Sequence, residues 1–266
     1  AENDEEALRL EELKTLFEER RDAGMPNLGA MELVDGAHAR ELFPAVRDVP
    51  RALWIPEAAR VDGAHLRDAM THAAERHGAE IVQGNSSLIL DGSRVLAVEV
   101  DGRKIDVESV VVAAGAWTNA LLEPTGTQLP MAPQKGQIVH IRMPEQDTSR
   151  WPILSWFGDQ YILTFGPDRV VAGATREFNS GYDTRVTPDG VKHVLDTALR
   201  IAPGLGSGTL ADVRVGLRPY ADDGVPFVGA VPGYENLVVS TGHGPSGLQL
   251  GPYSGRLAAQ LAAGET

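Results

Sequence analysis

A strand, a glycine-rich loop and a helix close the sequence in that order, and this arrangement restricts the fold more than any other feature. Residues 237–241 predict the strand, residues 242–247 form the loop Gly242-His243-Gly244-Pro245-Ser246-Gly247, and residues 253–263 predict the helix. The loop fits the Gly-x-Gly-x-x-Gly spacing of a dinucleotide fingerprint, but a fingerprint needs a complete βαβ unit with an acidic residue about 20 positions later. The sequence stops at Thr266, and Pro245 lacks an amide that such a loop would aim at pyrophosphate. A dinucleotide fingerprint is therefore not predicted here.

The same loop can still serve a ligand. Successive glycines let a backbone approach a ligand closely, and the N-terminus of the following helix favours partial negative charge. The alternative is that the glycines serve only the geometry of a strand-to-helix turn. From the loop alone, turn geometry is the favoured interpretation.

A second candidate ligand segment follows the apolar run Val110-Val111-Val112-Ala113-Ala114 and consists of Gly115-Ala116-Trp117. The uniform apolar character of the run predicts a strand that is buried on both faces. Small residues at its carboxyl end would let a planar ligand approach the backbone, at the edge where open α/β sheets bind ligands. The alternative is close packing of the following segment on the sheet, which the residues favour equally, and Trp117 taken alone indicates packing.

Hydrophobic periodicity divides the rest of the chain into elements of two styles. Helices are predicted over residues 4–21, 64–77 and 188–201, and a strand with a helix start over 31–42; Asp62 is the predicted N-cap of the second helix and Gly78 its end. Strands are predicted over 52–55, 80–82, 87–90, 95–100 and 104–107, the last two joined at Asp101-Gly102. Residues 137–142, 161–165 and 169–174 alternate as antiparallel strands do. The predicted fold class is α/β with an α+β middle block.

Composition excludes several classes of site and partner. The 266 residues carry a formal net charge of −13 and include no cysteine. The negative field disfavours nucleic acid and anionic membranes as partners, so an anionic substrate needs a local basic anchor. The lack of cysteine excludes disulfides, thiolate metal sites and a flavin linked through cysteine, and makes the cytoplasm the expected compartment. No run approaches the roughly 20 apolar residues of a membrane span, and the seven histidines show no metal-ligand spacing.

A basic anchor is offered by Arg218 in the segment Gly216-Leu217-Arg218-Pro219. The flanking glycine and proline make the arginine locally rigid, and a guanidinium can bind a carboxylate through two parallel hydrogen bonds. The alternative is an ion pair between Arg218 and Asp222 or Asp223, and these residues alone favour the ion pair.

The order of these motifs along the chain is more specific than any one of them. Together they resemble the FAD-dependent family of D-amino-acid oxidases, glycine oxidases and sarcosine oxidases, without the family's N-terminal segment. The matching segments are Leu53-Trp54-Ile55-Pro56 with Arg60-Val61-Asp62, Gly78-Ala79-Glu80-Ile81-Val82, Val111 to Trp117, Lys135-Gly136-Gln137, Gly173-Ala174-Thr175, Gly216 to Pro219 with Asp223-Gly224-Val225-Pro226, and Gly242-His243-Gly244.

This resemblance implies an incomplete Rossmann-like FAD-binding domain interleaved with a substrate-binding domain built on an antiparallel sheet. Residues 53–127 and 218–266 are expected in the FAD-binding domain, and residues 1–52 and 128–217 in the substrate-binding domain. Such enzymes transfer a hydride from the α-carbon of an amine to flavin N5, the resulting imine hydrolyses, and oxygen or another acceptor reoxidises the flavin. The expected substrate is a small amino acid or an N-methyl amine, and the expected cofactor is non-covalent FAD.

The resemblance also assigns roles to individual residues. Arg218 matches the arginine that binds the substrate carboxylate, and Tyr161 matches an aromatic residue that faces the substrate from the sheet. Val82 matches a strand residue whose backbone approaches the adenine. The segment along the cofactor is matched by Ala114, Gly115, Ala116 and Trp117, and the loop at the pyrimidine edge of the flavin by Gly242, His243, Gly244, Pro245, Ser246, Gly247 and Leu248. No metal ligand is assigned, and no catalytic base, because an amine that arrives neutral needs none.

The family's βαβ unit would precede Ala1, so the chain alone is expected to lack the pyrophosphate and ribose sites. Three alternatives therefore stay open. The chain alone binds no FAD and is inactive; or the enzyme oxidises a 2-hydroxy acid or a polyol; or the chain is a flavin-free binding or scaffold protein. A homo-oligomer is compatible with the sequence.

Overall fold

The computed structural model describes residues 1–26 and 29–265. The helices predicted over residues 4–21, 64–77 and 188–201 are confirmed, because their caps and periodicity are local in sequence. Asn3 accepts a hydrogen bond from the Glu6 amide at 2.9 Å at the start of the first helix, and Asp62 caps the third as predicted. The α-helices are α1 (Asp4–Asp22), α2 (Gly36–Leu42), α3 (Gly63–Arg76), α4 (Thr118–Leu122), α5 (Pro188–Ile201) and α6 (Gly247–Ala262).

The strands of the described residues form four sheets. The strand order is β1-β2 in one, β11-β7-β10-β9-β8 in the second, β12-β13-β6 in the third and β3-β4-β5 in the fourth. The strands are β1 (Glu32–Asp35), β2 (Arg51–Trp54), β3 (Ser86–Asp91), β4 (Arg94–Val100), β5 (Arg103–Asp106), β6 (Val110–Val112), β7 (Met131–Arg142), β8 (Leu154–Ser155), β9 (Tyr161–Phe165), β10 (Arg169–Gly173), β11 (Thr209–Ala221), β12 (Phe227–Ala230) and β13 (Leu237–Thr241).

The chain divides into two compact units, each made of three stretches. The first unit comprises Ala1–Arg60, Gly136–Arg176 and Arg185–Val215, and the second comprises Val61–Lys135, Glu177–Thr184 and Gly216–Thr266. Strands β7 and β11 each begin in one unit and end in the other. The flavin-binding and substrate-binding roles expected for segments of the chain stay a prediction.

The first unit is built on the antiparallel sheet that the alternating residues predicted. Strand β10 pairs with β7 from Arg169 opposite Arg142 to Gly173 opposite Ile138, and with β9 on its other side. Helix α5 packs on β10 and buries Val194, Ala198 and Ile201. These residues recur at helical spacing, so one apolar stripe faces the sheet and closes the core of this unit.

A glycine near the start of α5 allows close contact with β7. Thr187 caps the helix by accepting a hydrogen bond from the Gly190 amide at 3.2 Å. A methyl group at Gly190 would overlap the fully buried amide of Gln137, which donates to the Thr187 hydroxyl at 2.8 Å. A side chain at position 190 would therefore separate the helix cap from the strand.

The second unit combines an antiparallel meander, β3-β4-β5, with the sheet β12-β13-β6. Asn236 joins them, because its buried amide donates to the Val95 and Glu108 carbonyls and accepts from the Val95 amide, each at 2.9 Å. Helix α6 packs on the sheet β12-β13-β6. The buried apolar core of this unit consists of Leu88, Val95, Val112, Leu122, Val231, Leu237 and Val239.

Three predictions about elements of the second unit are wrong. The run from Val110 forms only the three-residue strand β6, and it is not buried on both faces. Val112 is 1% exposed but Val111 is 39% exposed, because neighbouring residues of a strand point to opposite faces of the sheet. Residues 80–82 form no strand, since no described strand pairs with them. Helix α6 starts at Gly247 rather than Tyr253 and contains Pro252 in its interior.

The length and the apolar character of the described helices can be compared with those of a membrane span. None of those in residues 1–26 and 29–265 is both long enough and apolar enough to cross a membrane.

Candidate functional site

Parallel pairing of β6 with β13 brings the two candidate ligand loops to one edge of the sheet. Leu237 lies opposite Val110, and Val239 lies opposite Val112. Both strands run in the same direction, so the segment after β6 and the loop after β13 leave the sheet at the same end. That end is where open sheets with parallel strands bind ligands.

Two buried threonine hydroxyls tie these loops together. The Thr241 hydroxyl at the end of β13 donates to the Gly115 carbonyl at 3.1 Å and lies 3.1 Å from the Thr118 hydroxyl. The Thr118 hydroxyl lies 2.9 Å from the same Gly115 carbonyl. Both threonines are at most 1% exposed. This network fixes the turn after β6 relative to the loop after β13.

Glycine is required in this loop pair by backbone conformation and by space. Gly115, Gly242 and Gly244 have φ values of +55°, +80° and +51°, which side chains rarely adopt. A methyl group at Gly242 would lie 2.9 Å from the Phe227 ring, and one at Gly244 would lie 3.4 Å from the Tyr220 ring. A methyl group at Gly115 would meet no described atom within 4 Å. The Gly115 turn therefore faces open space, while the Gly242 turn is packed.

The end of β11 brings the candidate carboxylate anchor close to the loop. Tyr220 forms an isolated antiparallel bridge with His243. Arg218 lies two residues earlier on the same strand, so its side chain projects on the same face as that of Tyr220. The Arg218 guanidinium donates to the Gln134 side-chain oxygen at 3.2 Å. Gln134 is fully buried, and its side-chain nitrogen has no hydrogen-bond partner among the described residues.

His243 is the titratable side chain of the loop. Burial lowers the pKa of His243 below its ordinary value, so the neutral imidazole is favoured. Its Nε2 atom is buried and has no hydrogen-bond partner within the described part of the chain. A buried polar atom without a partner is uncommon in folded proteins, and it calls for an explanation such as a ligand or a water molecule.

Residues 177–184, which we name the aromatic segment, contact the loop after β6 and the end of β11, and their part in the site was not predicted from the sequence. Tyr182 stacks on Trp117 with 5.7 Å between ring centroids, and its hydroxyl donates to the Ala116 carbonyl at 3.1 Å. Phe178 packs edge-on against Tyr220 with 5.2 Å between centroids. Two aromatic residues close together in a polar, glycine-containing stretch were the available signal.

The other predicted residues lie apart from this cluster. Pro245 and Ser246 form a short 3₁₀ turn, and Gly247 and Leu248 begin α6. Val82 lies between α3 and β3, outside any described strand, and is 38% exposed. Tyr161 belongs to the first unit, where it pairs with Gly173 of β10. The ligand roles of all these residues stay predictions.

Comparison with known proteins identifies the family. The family model described as FAD dependent oxidoreductase matches residues 3–261. The chain belongs to this family.

Residues 1–26 and 29–265 contain no group of three histidine, aspartate or glutamate side chains that could hold a metal ion.

Three similar proteins illustrate the range of the family. An uncharacterized oxidoreductase of Bacillus subtilis, YurR, is 39% identical over 94% of this chain, which spans 67% of that protein. The crystal structure of iminodiacetate oxidase from Chelativorans sp. BNC1 has 39% identity and a TM-score of 0.92, with 98% of this chain and 70% of that chain covered. Glycine oxidase of Pseudomonas aeruginosa is 33% identical over 65% of this chain, and the match spans 47% of that enzyme. The aligned region thus extends over about half of the glycine oxidase.

Proposed function

We propose that the intact gene product containing this chain is an FAD-dependent oxidoreductase that oxidises the C–N bond of a small amino acid or an N-substituted amino acid. The observation that carries the proposal is the pairing of β6 with β13, which places two loops with left-handed glycines at one sheet edge. The domain roles predicted from sequence are part of the proposal. The second unit would hold the flavin, the first would contain the substrate-binding sheet to which Tyr161 belongs, and the expected compartment is the cytoplasm.

The residues at the sheet edge suit a flat cofactor. Open space at Gly115 and the exposed turn at Trp117 leave room for a planar ring beside the backbone. The unpaired Nε2 atom of His243 offers a hydrogen-bonding group, and the N-terminus of α6 favours negative charge nearby. Bound FAD would supply a two-electron acceptor for the reaction. We assign Ala114–Trp117 and Gly242–Leu248 to holding it.

The substrate carboxylate is assigned to Arg218. The chain carries a formal net charge of −13, so an anionic substrate needs a defined cation in the site. Gln134 accepts one hydrogen bond from the Arg218 guanidinium and limits its rotation. A guanidinium held in one orientation is suited to form charge-assisted bonds to a carboxylate. No proton transfer by a side chain is needed if the amine is bound neutral.

Similarity to iminodiacetate oxidase and glycine oxidase favours an amine over an alcohol as substrate. The test is anaerobic mixing of the intact, FAD-loaded protein with glycine, N-methylglycine, iminodiacetate, D-alanine and lactate in turn, following loss of the visible flavin absorbance. Bleaching by an amine and not by lactate supports the proposal. Bleaching by lactate alone supports the 2-hydroxy-acid alternative, and a protein that binds no FAD supports the scaffold alternative.

A pair of arginine variants tests the carboxylate site. Arg218→Met should raise the KM about tenfold to a hundredfold, because hydrogen bonds to charged groups contribute about 1.5–3 kcal/mol. Arg94→Met is the matched control, since Arg94 lies in the same unit, is half-exposed and pairs with Glu235 at 3.0 Å. Equal kinetics of the two variants would contradict the assignment of Arg218.

A further inference from the structure

Lys135 is a buried cation that the proposed reaction does not use. It is 1% exposed, and its Nζ atom lies 3.5 Å from Asp183 Oδ2 and 3.8 Å from Glu177 Oε2. Both carboxylates belong to the aromatic segment. The backbone of Lys135 also exchanges two hydrogen bonds with the backbone of Glu177, at 2.9 and 3.0 Å. One buried side chain therefore contacts both ends of residues 177–184.

The arrangement of charges is asymmetric. A lysine buried to this degree requires paired anions, because an isolated buried ammonium group is very costly. The side chains of Glu177 and Asp183 are about a third exposed, at 31% and 29%, so water can solvate them without the lysine. Loss of the ammonium group would therefore weaken the attachment of the segment rather than leave a buried charge unpaired.

Between its two anchored ends the segment presents aromatic rings to the candidate cofactor loops. Tyr182 contacts Trp117 and the Ala116 carbonyl beside the Gly115 turn. Phe178 contacts Tyr220, which bridges to His243. Phe178 and Tyr182 are still 56% and 49% exposed, so each ring has a face that a ligand can cover.

We propose that Lys135 is a positioning residue that holds residues 177–184 against the candidate flavin loop at Ala116 and Trp117 and against Tyr220, so that Phe178 and Tyr182 form an aromatic wall of the ligand site. The wall retains the bound ligand. This inference rests on the proposed function for the identity of the ligand. The position of the segment can be measured without any ligand.

The first test measures the segment itself. Lys135→Met keeps a similar volume and removes the charge, and the two carboxylates that remain are partly exposed to water. Hydrogen exchange of the amides of residues 177–184 should accelerate at least about tenfold, the change that 1.4 kcal/mol of lost protection produces. Exchange in α5 should stay unchanged. Lys135→Arg retains the charge and should restore protection, and Lys192→Met, which removes an exposed lysine paired with Asp196, is the control.

The second test measures the wall. In the intact FAD-loaded protein, Lys135→Met and Tyr182→Ala should each weaken FAD binding and raise the KM about tenfold with a smaller change in kcat. Quenching of Trp117 emission by FAD, obtained as the difference from a Trp117→Phe background, should fall in both variants.

The outcomes separate this inference from the proposed function. Unchanged exchange in residues 177–184 of a folded Lys135→Met protein overturns the positioning role. If Lys135→Met does not fold, unaltered FAD affinity and KM in Tyr182→Ala overturn the wall. A protein that no amine reduces contradicts the proposed function, while the exchange experiment still decides the role of Lys135.

Discussion

Replacement of Gly242 by alanine should destabilise the second unit by about 2–4 kcal/mol, for two separable reasons. The φ value of +80° is unfavourable for any residue with a Cβ atom and costs about 1–2 kcal/mol. The added methyl would also lie 2.9 Å from the Phe227 ring and 3.4 Å from the Ala221 methyl group, and overpacking of this kind costs about 1–3 kcal/mol. Phe227 is only partly buried and can shift, so the lower part of the summed range is expected.

Two other glycines of the same site provide matched controls. Gly115→Ala introduces a left-handed alanine at φ +55° with no described atom within 4 Å, so only the backbone cost of about 1–2 kcal/mol should appear. Gly247→Ala lies in the first turn of α6 with a φ of −57°, and should stabilise the protein by about 0.4–1 kcal/mol. From the most to the least stable, the expected order is therefore Gly247→Ala, wild type, Gly115→Ala and Gly242→Ala.

Urea unfolding followed by circular dichroism measures these differences. Phe227→Leu should relieve the crowding, so the double variant with Gly242→Ala should show a favourable coupling energy of about 1 kcal/mol. The reasoning is refuted if Gly242→Ala is no less stable than Gly115→Ala, or if the coupling with Phe227→Leu is absent.

Three further predictions concern side chains around the same loops. Thr241→Val removes the hydroxyl that links the loops and should cost about 1–2 kcal/mol in urea unfolding; unchanged stability would contradict a structural role for the Thr118 and Gly115 contacts. Gln134→Leu should raise the KM for carboxylate substrates several-fold, as measured by steady-state kinetics, because it removes the side-chain oxygen that accepts from Arg218 at 3.2 Å; an unchanged KM would show that this contact does not orient the guanidinium. Because burial lowers the pKa of His243, the unfolded chain binds more protons, and stability should fall as the pH drops below about 6.5. His243→Asn should flatten that part of the profile of melting temperature against pH, and an identical slope would contradict the lowered pKa.

The helices and hairpins were predictable from sequence because their signals are local. Caps such as Asp62, the apolar stripe of α5 and the Asp101-Gly102 turn act within a few residues of the elements they define. The structure confirms each of them. The antiparallel sheet of the first unit was predictable for a similar reason, since alternation in β9 reflects burial of one face, whereas four consecutive residues of β10 are buried.

The errors arise where burial depends on neighbours that sequence does not specify. Val111 is as apolar as Val112, yet one is 39% exposed and the other 1%, because the two side chains point to opposite faces of β6 and only the face of Val112 is covered. Strand β7 begins at Met131. It was predicted only from residue 137, because Pro133 and Gly136 interrupt the alternating pattern before that point. Ladder pairing with neighbouring strands outweighs these local signals.

The candidate site was only partly predictable. Both glycine loops were selected from their residues, but their proximity depends on the parallel register of β6 and β13. The buried pair Gln134 and Lys135 was missed as a site feature, because polar residues in a strand give no sign of burial before their partners are known. Those partners, Arg218, Glu177 and Asp183, are between 42 and 84 residues away in sequence.

The division of the chain into interleaved stretches has a consequence for how such a protein can be made and recombined. The backbone passes between the units after residues 60, 135, 176, 184 and 215. During synthesis the first core lacks its last strand until residue 215 has emerged, and the second lacks α6 until residue 262 has emerged. Neither unit can therefore complete its core before most of the other unit has also been translated. An exchange of one whole unit between relatives would need three grafted stretches and five compatible junctions, so variation in this architecture is expected to accumulate within loops rather than through transfer of a continuous cassette.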